Sequence, residues 1–154
     1  MYKEMRRSDR QLSDKDMNEI LEAGEYGILS TIGDNGYPYG VPISYVYIDS
    51  KIFFHCAAGV GLKEENITNN DKVCFTVVGK TEVLPEKFST KYESVIAFGT
   101  AKKSTELKVK ALEGLIKKYS PDFMEKGLNY IESAHYMTDV YEITIESITA
   151  KGRR

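Results

Sequence analysis

Two prolines, Pro38 and Pro42, interrupt an alternating run that otherwise reads as one strand from Tyr37 to Ile48. Proline has no N–H to give to a ladder, so a strand carrying two of them is an edge strand or is bulged at both places. The run follows Gly33-Asp34-Asn35-Gly36, a hairpin signal, and before that lies an apolar run from Tyr26 to Ile32. The chain therefore starts its sheet with a hairpin whose second arm is an edge. An interrupted edge can do one of two things. It can guard the sheet against pairing with another chain. It can also leave backbone groups of Val41, Ile43 and Ser44 free to meet a flat heterocycle. The residues alone favour the guard.

The rest of the pattern agrees with an antiparallel sheet. Strands are predicted at Lys51–Cys56, Val73–Val78, Tyr92–Thr100 and His135–Ile148, which makes six with the first two. The last of these carries polar residues on one side and reads as solvent-facing, with the tail KGRR disordered. Thr81–Phe88 reads as a loop. Ser13 caps a helix whose stripe is Met17, Ile20 and Leu21, with Asp16 placed for a capping box. Thr105 is the expected cap of a second helix with Ala111, Leu112 and Leu115 inward, and Pro121 restarts a short helical segment through Ile131. The helices fall between hairpins and do not alternate with single strands. That argues for a mainly β chain, an antiparallel barrel with peripheral helices, and against a doubly wound parallel sheet. At 154 residues it is one domain, 1–154.

Composition excludes several classes. A net charge of −2 gives no electrostatic footprint for nucleic acid, so phosphate affinity has to be local. No apolar run has the length of a membrane span. The charged start MYKEMRRSDR is not a signal peptide, and a cytoplasmic location is expected. Cys56 and Cys74 read as free thiols in strands, too few for structural zinc. No nucleophile elbow, P-loop or dinucleotide fingerprint is present, no metal site is expected, and no catalytic residue can be assigned.

One stretch can hold an anion. The small-residue loop Ala57–Gly61 feeds a helix with Lys63 and Asn66 at its start. Backbone N–H groups and the helix dipole favour a phosphate there. Lys63 follows Gly59 and Gly61, and Asn66 shares its face. His55 reads equally as a structural histidine and as a phosphate donor. The cluster Arg6, Arg7 and Arg10 reads as a solvated arm or as an arm pinned to an anion or a partner.

Five segments in order carry a family resemblance: MRRSDR, GEYGILST, GYPYGVPISYVY, FFHCA and LPEKFSTKYESVIAFG. The chain resembles the pyridoxamine-phosphate-oxidase-like split barrels that bind FMN, and within them the nitroimidazole-resistance (Nim) branch. The resemblance implies a six-stranded split β-barrel and a homodimer with FMN at the subunit interface. It implies that Val41, Pro42, Ile43 and Ser44 line the flavin ring. His55, Lys63 and Asn66 then hold the ribityl phosphate, with Cys56 beside them. Tyr92 and Ser94 come from the partner chain or cover the ring. The implied activity is reduction of a small organic acceptor such as a nitroaromatic or quinone. The alternative is a non-catalytic flavin or haem sensor. Oxidation of pyridoxamine phosphate is disfavoured, because no second basic cluster is present. Nim-type proteins usually read Gly-His-Lys where this chain reads Gly61-Leu62-Lys63, so any step that uses that histidine is in doubt here.

Overall fold

The computed structural model describes residues 2–59 and 61–154. The strands are β1 (Gly27–Ile32), β2 (Pro38–Ile43), β3 (Val46–Ile48), β4 (Lys51–Ala57), β5 (Lys72–Leu84), β6 (Ser89–Lys103) and β7 (Thr138–Arg153). The helices are α1 (Asp14–Ala23), α2 (Leu62–Asn69), α3 (Lys108–Tyr119) and α4 (Met124–Ala134). All strand pairs are antiparallel, in the order β2-β1-β5-β6-β7-β4-β3. One core cluster draws Leu29, Phe54, Phe75, Val95 and Ile143 from five of these strands, so the sheet curls round a common interior. This is the split barrel.

The expected strand Tyr37–Ile48 is two strands, and they lie at opposite edges of the sheet. That raises the count from six to seven. The prolines predicted an edge, and β2 is one: it pairs with β1 alone. Between β2 and β3 the chain crosses the open side of the barrel through Ser44 and Tyr45. Tyr45 is fully buried, and its hydroxyl donates to the Leu21 carbonyl at 2.6 Å. Its N–H donates to the Tyr119 hydroxyl at 3.0 Å. A side chain of α3 thus takes the place of a neighbouring strand for this backbone.

Helix α1 carries the expected capping box, Ser13 with Asp16, and buries Ile20 and Leu21 in the barrel. Helix α3 starts later than expected: its N-cap is Leu107, and Thr105 caps nothing. A second apolar cluster, with Phe53, Val140, Leu112, Leu115 and Ile131, seals α3 and α4 against the outer faces of β4 and β7.

That cover overturns the reading of the last strand as solvent-facing. β7 lies between β6 and β4, and its first half is buried on both faces. Its Glu142 is buried and paired with Lys51 at 2.8 Å, and it accepts from the Ser104 hydroxyl at 2.7 Å. The KGRR tail is not loose either. It continues β7 to Arg153, and Arg154 pairs with Asp16 at 2.6 Å and Glu93 at 2.8 Å. Thr81–Leu84, read as loop, extends β5 past an irregularity between Val78 and Thr81. The bulge between Phe98 and Gly99 of β6 needs its glycine, since a Cβ there would lie 2.1 Å from the Thr144 carbonyl oxygen.

Candidate functional site

Strand alternation divides β4. Phe54 and Cys56 face the barrel core, while Phe53 and His55 face the side covered by α3 and α4. Beyond Phe53 the helical cover ends, so His55 opens onto solvent at the rim of a cleft. Burial of Cys56 pushes its thiol up to about 12, with the Glu64 carboxylate adding to the effect. Such a thiol is protonated and inert, and only its backbone is available to a ligand outside the barrel. Both cysteines are free.

After β4 the chain turns through Ala58 and Gly59 into α2; Val60 of the expected cradle lies outside the described residues. Gly61 is the N-cap of α2 at φ +144°, a conformation that favours glycine, and no side chain caps the helix. Glu64 and Glu65 N–H groups return to the Gly61 carbonyl. The N–H groups before them point out of the helix end, where the dipole is positive. Lys63 is half-buried on this first turn, and among the described residues it makes no salt bridge. The protein around His55 lowers its pKa, and the Lys63 ammonium lowers it further. His55 is therefore neutral at pH 7, and the two side chains are near enough to feel each other. A cation, an imidazole and an uncapped helix end suit a single phosphate group.

Asn66 is not part of this group. It is 1% exposed, and its amide donates to the Thr31 hydroxyl at 2.9 Å, tying α2 to β1. The i, i+3 spacing from Lys63 was sound, but the helix turns that side of Asn66 into the protein. Leu62 is 51% exposed and faces a different cleft, beside Tyr37 and Tyr39. His55 therefore does not stand where a histidine at position 62 would stand.

Ser44, on the crossover, lines the same cleft as His55. Val41, Pro42 and Ile43 precede it on edge strand β2, with Pro42 exposed and the other two packed partly on the core. Tyr92 and Ser94 lie elsewhere. They are on β6, which β7 separates from β4, and they share its outward face with Ile96 and Phe98. Arg10 donates to the Tyr92 hydroxyl at 3.3 Å, and this contact and Lys151 lower the Tyr92 pKa. The basic arm is thus partly pinned: Arg10 reaches Tyr92, Arg7 pairs with Asp9 at 2.7 Å, and Arg6 is exposed.

The sequence reading missed the role of α3 and α4. They roof the cleft whose rim holds Ser44 and His55, and they bring the second histidine, His135, into it. The signal was in the chain, since both helices carry an apolar stripe, but the stripe does not say which strand it covers. Among the described residues no cluster of His, Cys, Asp and Glu could hold a metal, and no helix is long and apolar enough to cross a membrane.

The family model described as pyridoxamine 5'-phosphate oxidase matches residues 13–152. No curated protein matches the chain. Solved structures match it closely in shape. A candidate 5-nitroimidazole antibiotic resistance protein from Bacteroides thetaiotaomicron is 20% identical, with a TM-score of 0.77 over 91% of this chain and 84% of that one. An FAD-binding protein from Mesorhizobium loti is 22% identical, with a TM-score of 0.64 over 94% and 98%. The FAD and haem binding protein of Mycobacterium smegmatis is 17% identical, with a TM-score of 0.76 over 92% and 72%.

Proposed function

The chain belongs to the pyridoxamine 5'-phosphate oxidase family, and from that premise we propose that it is an FMN-binding flavoprotein that reduces a small organic acceptor. The observation that carries the reading is the uncapped start of α2 at Gly61, where Lys63 Nζ would lie 3.8 Å from a Cβ built on that glycine. These groups fit one phosphate. Lys63 supplies the charge, the first-turn N–H groups supply fixed donors, and His55 donates when protonated. Relatives named for FAD binding support a flavin. The preference for FMN rests on the single phosphate cradle, Ala57 to Lys63.

When bound, the flavin ring carries the hydride chemistry, and the protein supplies placement and electrostatics. Strand β2 pairs on one side only, so its free backbone edge from Val41 to Ser44 is available to the ring's polar rim. Tyr92 and Ser94 lie on the outer sheet face and reach that ring from a second copy of the chain. A homodimer with a shared site is therefore part of the proposal. Leu62 offers no proton and no hydrogen bond, so a nitroimidazole is expected to be a poor acceptor and a more apolar molecule a better one.

The test is the cofactor itself. The purified protein is heated, and the released chromophore is identified by chromatography. FMN is expected. Release of FAD or haem, or a colourless protein that stays colourless after incubation with FMN, would overturn the reading.

A further inference from the structure

The cleft beside His55 has a lining unlike the rest of the surface. In a chain that is 29% charged, none of its lining residues is Asp, Glu, Lys or Arg. Its floor is Leu112, Leu115, Ile116, Ile131 and Ala134, from the facing sides of α3 and α4. Its volume is 340 Å³, at the small end of the range for sites that hold compact organic ligands. Away from the His55 end, a charged ligand would exchange water for a lining with no fixed counter-charge, which is costly. An uncharged ring gains by covering the apolar floor.

The polar lining is uncharged at every residue but the two imidazoles: Ser44, Tyr119, Ser120, Tyr130 and Thr138 carry hydroxyls. His135 is set in one tautomer. Its Nδ1 lies 3.0 Å from the Ile131 carbonyl oxygen, which only accepts, so Nδ1–H is the donor of this pair. That leaves Nε2 as the ring nitrogen open to a ligand hydroxyl or N–H. His55, whose pKa is lowered by burial and by the Lys63 ammonium, is uncharged at pH 7.

We propose that the cleft between α3, α4 and β4 is a binding site for an uncharged, flat aromatic molecule of one or two rings that carries a hydroxyl or N–H for His135. Because Ser44 and His55 belong both to this cleft and to the proposed flavin site, such a molecule lies against the cofactor. Its assignment as the substrate class rests on the flavin reading; the binding site itself does not.

Equilibrium dialysis with three probes of one shape tests it: 1-naphthol, naphthalene and the anion 1-naphthoate, at pH 7, with and without FMN. Saturable binding of 1-naphthol is expected, with 1-naphthoate roughly tenfold weaker or more. His135→Phe keeps a flat ring at an exposed position and removes the acceptor. It should weaken 1-naphthol about fivefold, the worth of one neutral hydrogen bond, and leave naphthalene unchanged. Ser120→Trp at the rim should block both. Equal binding of the naphthoate, or 1-naphthol affinity that His135→Phe leaves untouched, overturns the proposal. So does displacement of 1-naphthol by FMN, which would make the cleft the flavin's own. Binding of 1-naphthol by a protein that takes up no FMN supports the cleft and sinks the flavin reading.

Discussion

Lys63 and His55 make opposite contributions to the free site. The ammonium and the surrounding protein hold the imidazole below its ordinary pKa. A phosphate placed between them reverses that balance, because it favours the charged ring. FMN binding then takes up a proton on His55, and affinity should rise as pH falls from 8 to 6. His55→Gln should flatten that dependence, which fluorescence titration of the flavin measures; the same slope in both proteins would mean that only the phosphate titrates. For Lys63→Ala the loss is one charge-assisted contact, about 1.5–3 kcal/mol, or roughly tenfold or more in Kd. The fold should survive, since among the described residues the lysine has no ion-pair partner. Glu142 is a different case. Burial raises its pKa, but hydrogen bonds from Lys51 and Ser104 outweigh that, and the net shift is downward. A depressed carboxylate stabilises the fold above its unfolded pKa and loses that contribution as pH falls through the folded value. Urea midpoints should therefore drop in acid below the ordinary glutamate range. Glu142→Gln should be less stable at pH 7 and lose less on acidification.

At the scale of elements, the crossover Ser44–Tyr45 decides the geometry of the site. Tyr119, on the last turn of α3, accepts from the Tyr45 N–H at 3.0 Å, and its hydroxyl lies 2.7 Å from the Glu25 carbonyl. Tyr119→Phe removes the acceptor and leaves that N–H without a partner. The expected cost is about 1–3 kcal/mol, with faster hydrogen exchange at Tyr45 and at few other amides. Exchange that changes evenly over the chain would mean that Tyr119 acts on global stability and not on the crossover. The same element shows what a sequence reveals. Pro38 and Pro42 announced an edge, because missing donors are a local property. The break after Ile43 was not legible, because alternation runs through it unchanged and its cause is a tyrosine 74 positions away. Likewise His55 and Lys63 were legible as neighbours along the chain. Asn66 was misread, because the face it buries depends on β1 lying against α2. The polar side of β7 was misread for a similar reason: Glu142 and its partners Lys51 and Ser104 come together only in the fold.

The whole molecule has more apolar surface than one barrel can use. Val95 and Ala97 of β6 fill the interior, yet Ile96 and Phe98 on the same strand point outward, 37% and 41% exposed. Strand pairing sets them beside the outward residues of β5, with Phe98 opposite Cys74, Ile96 opposite Thr76, and Ser94 opposite the exposed Val78. Tyr2 stacks on Phe98 with ring centres 5.4 Å apart, which covers part of this face. The patch lies on the middle strands of the sheet, where no edge needs guarding, and its charges, Lys151 opposite Ser94 and Arg153 opposite Tyr92, stand at one end. Such a surface fits self-association, and a two-fold contact would place the same strand of each copy across the axis. Ser94 and Tyr92 continue the row, so a second copy docked on this face would meet these residues, as the shared site proposed above requires. Dimerisation and cofactor binding should then fail together. Phe98→Glu puts a charge in the centre of the patch while sitting outside the core, so the monomer should fold. Sedimentation should show it as a monomer with FMN affinity reduced well beyond tenfold. A monomeric Phe98→Glu protein that binds FMN as the natural chain does would mean that one copy holds the whole site, and that Tyr92 and Ser94 have no part in it.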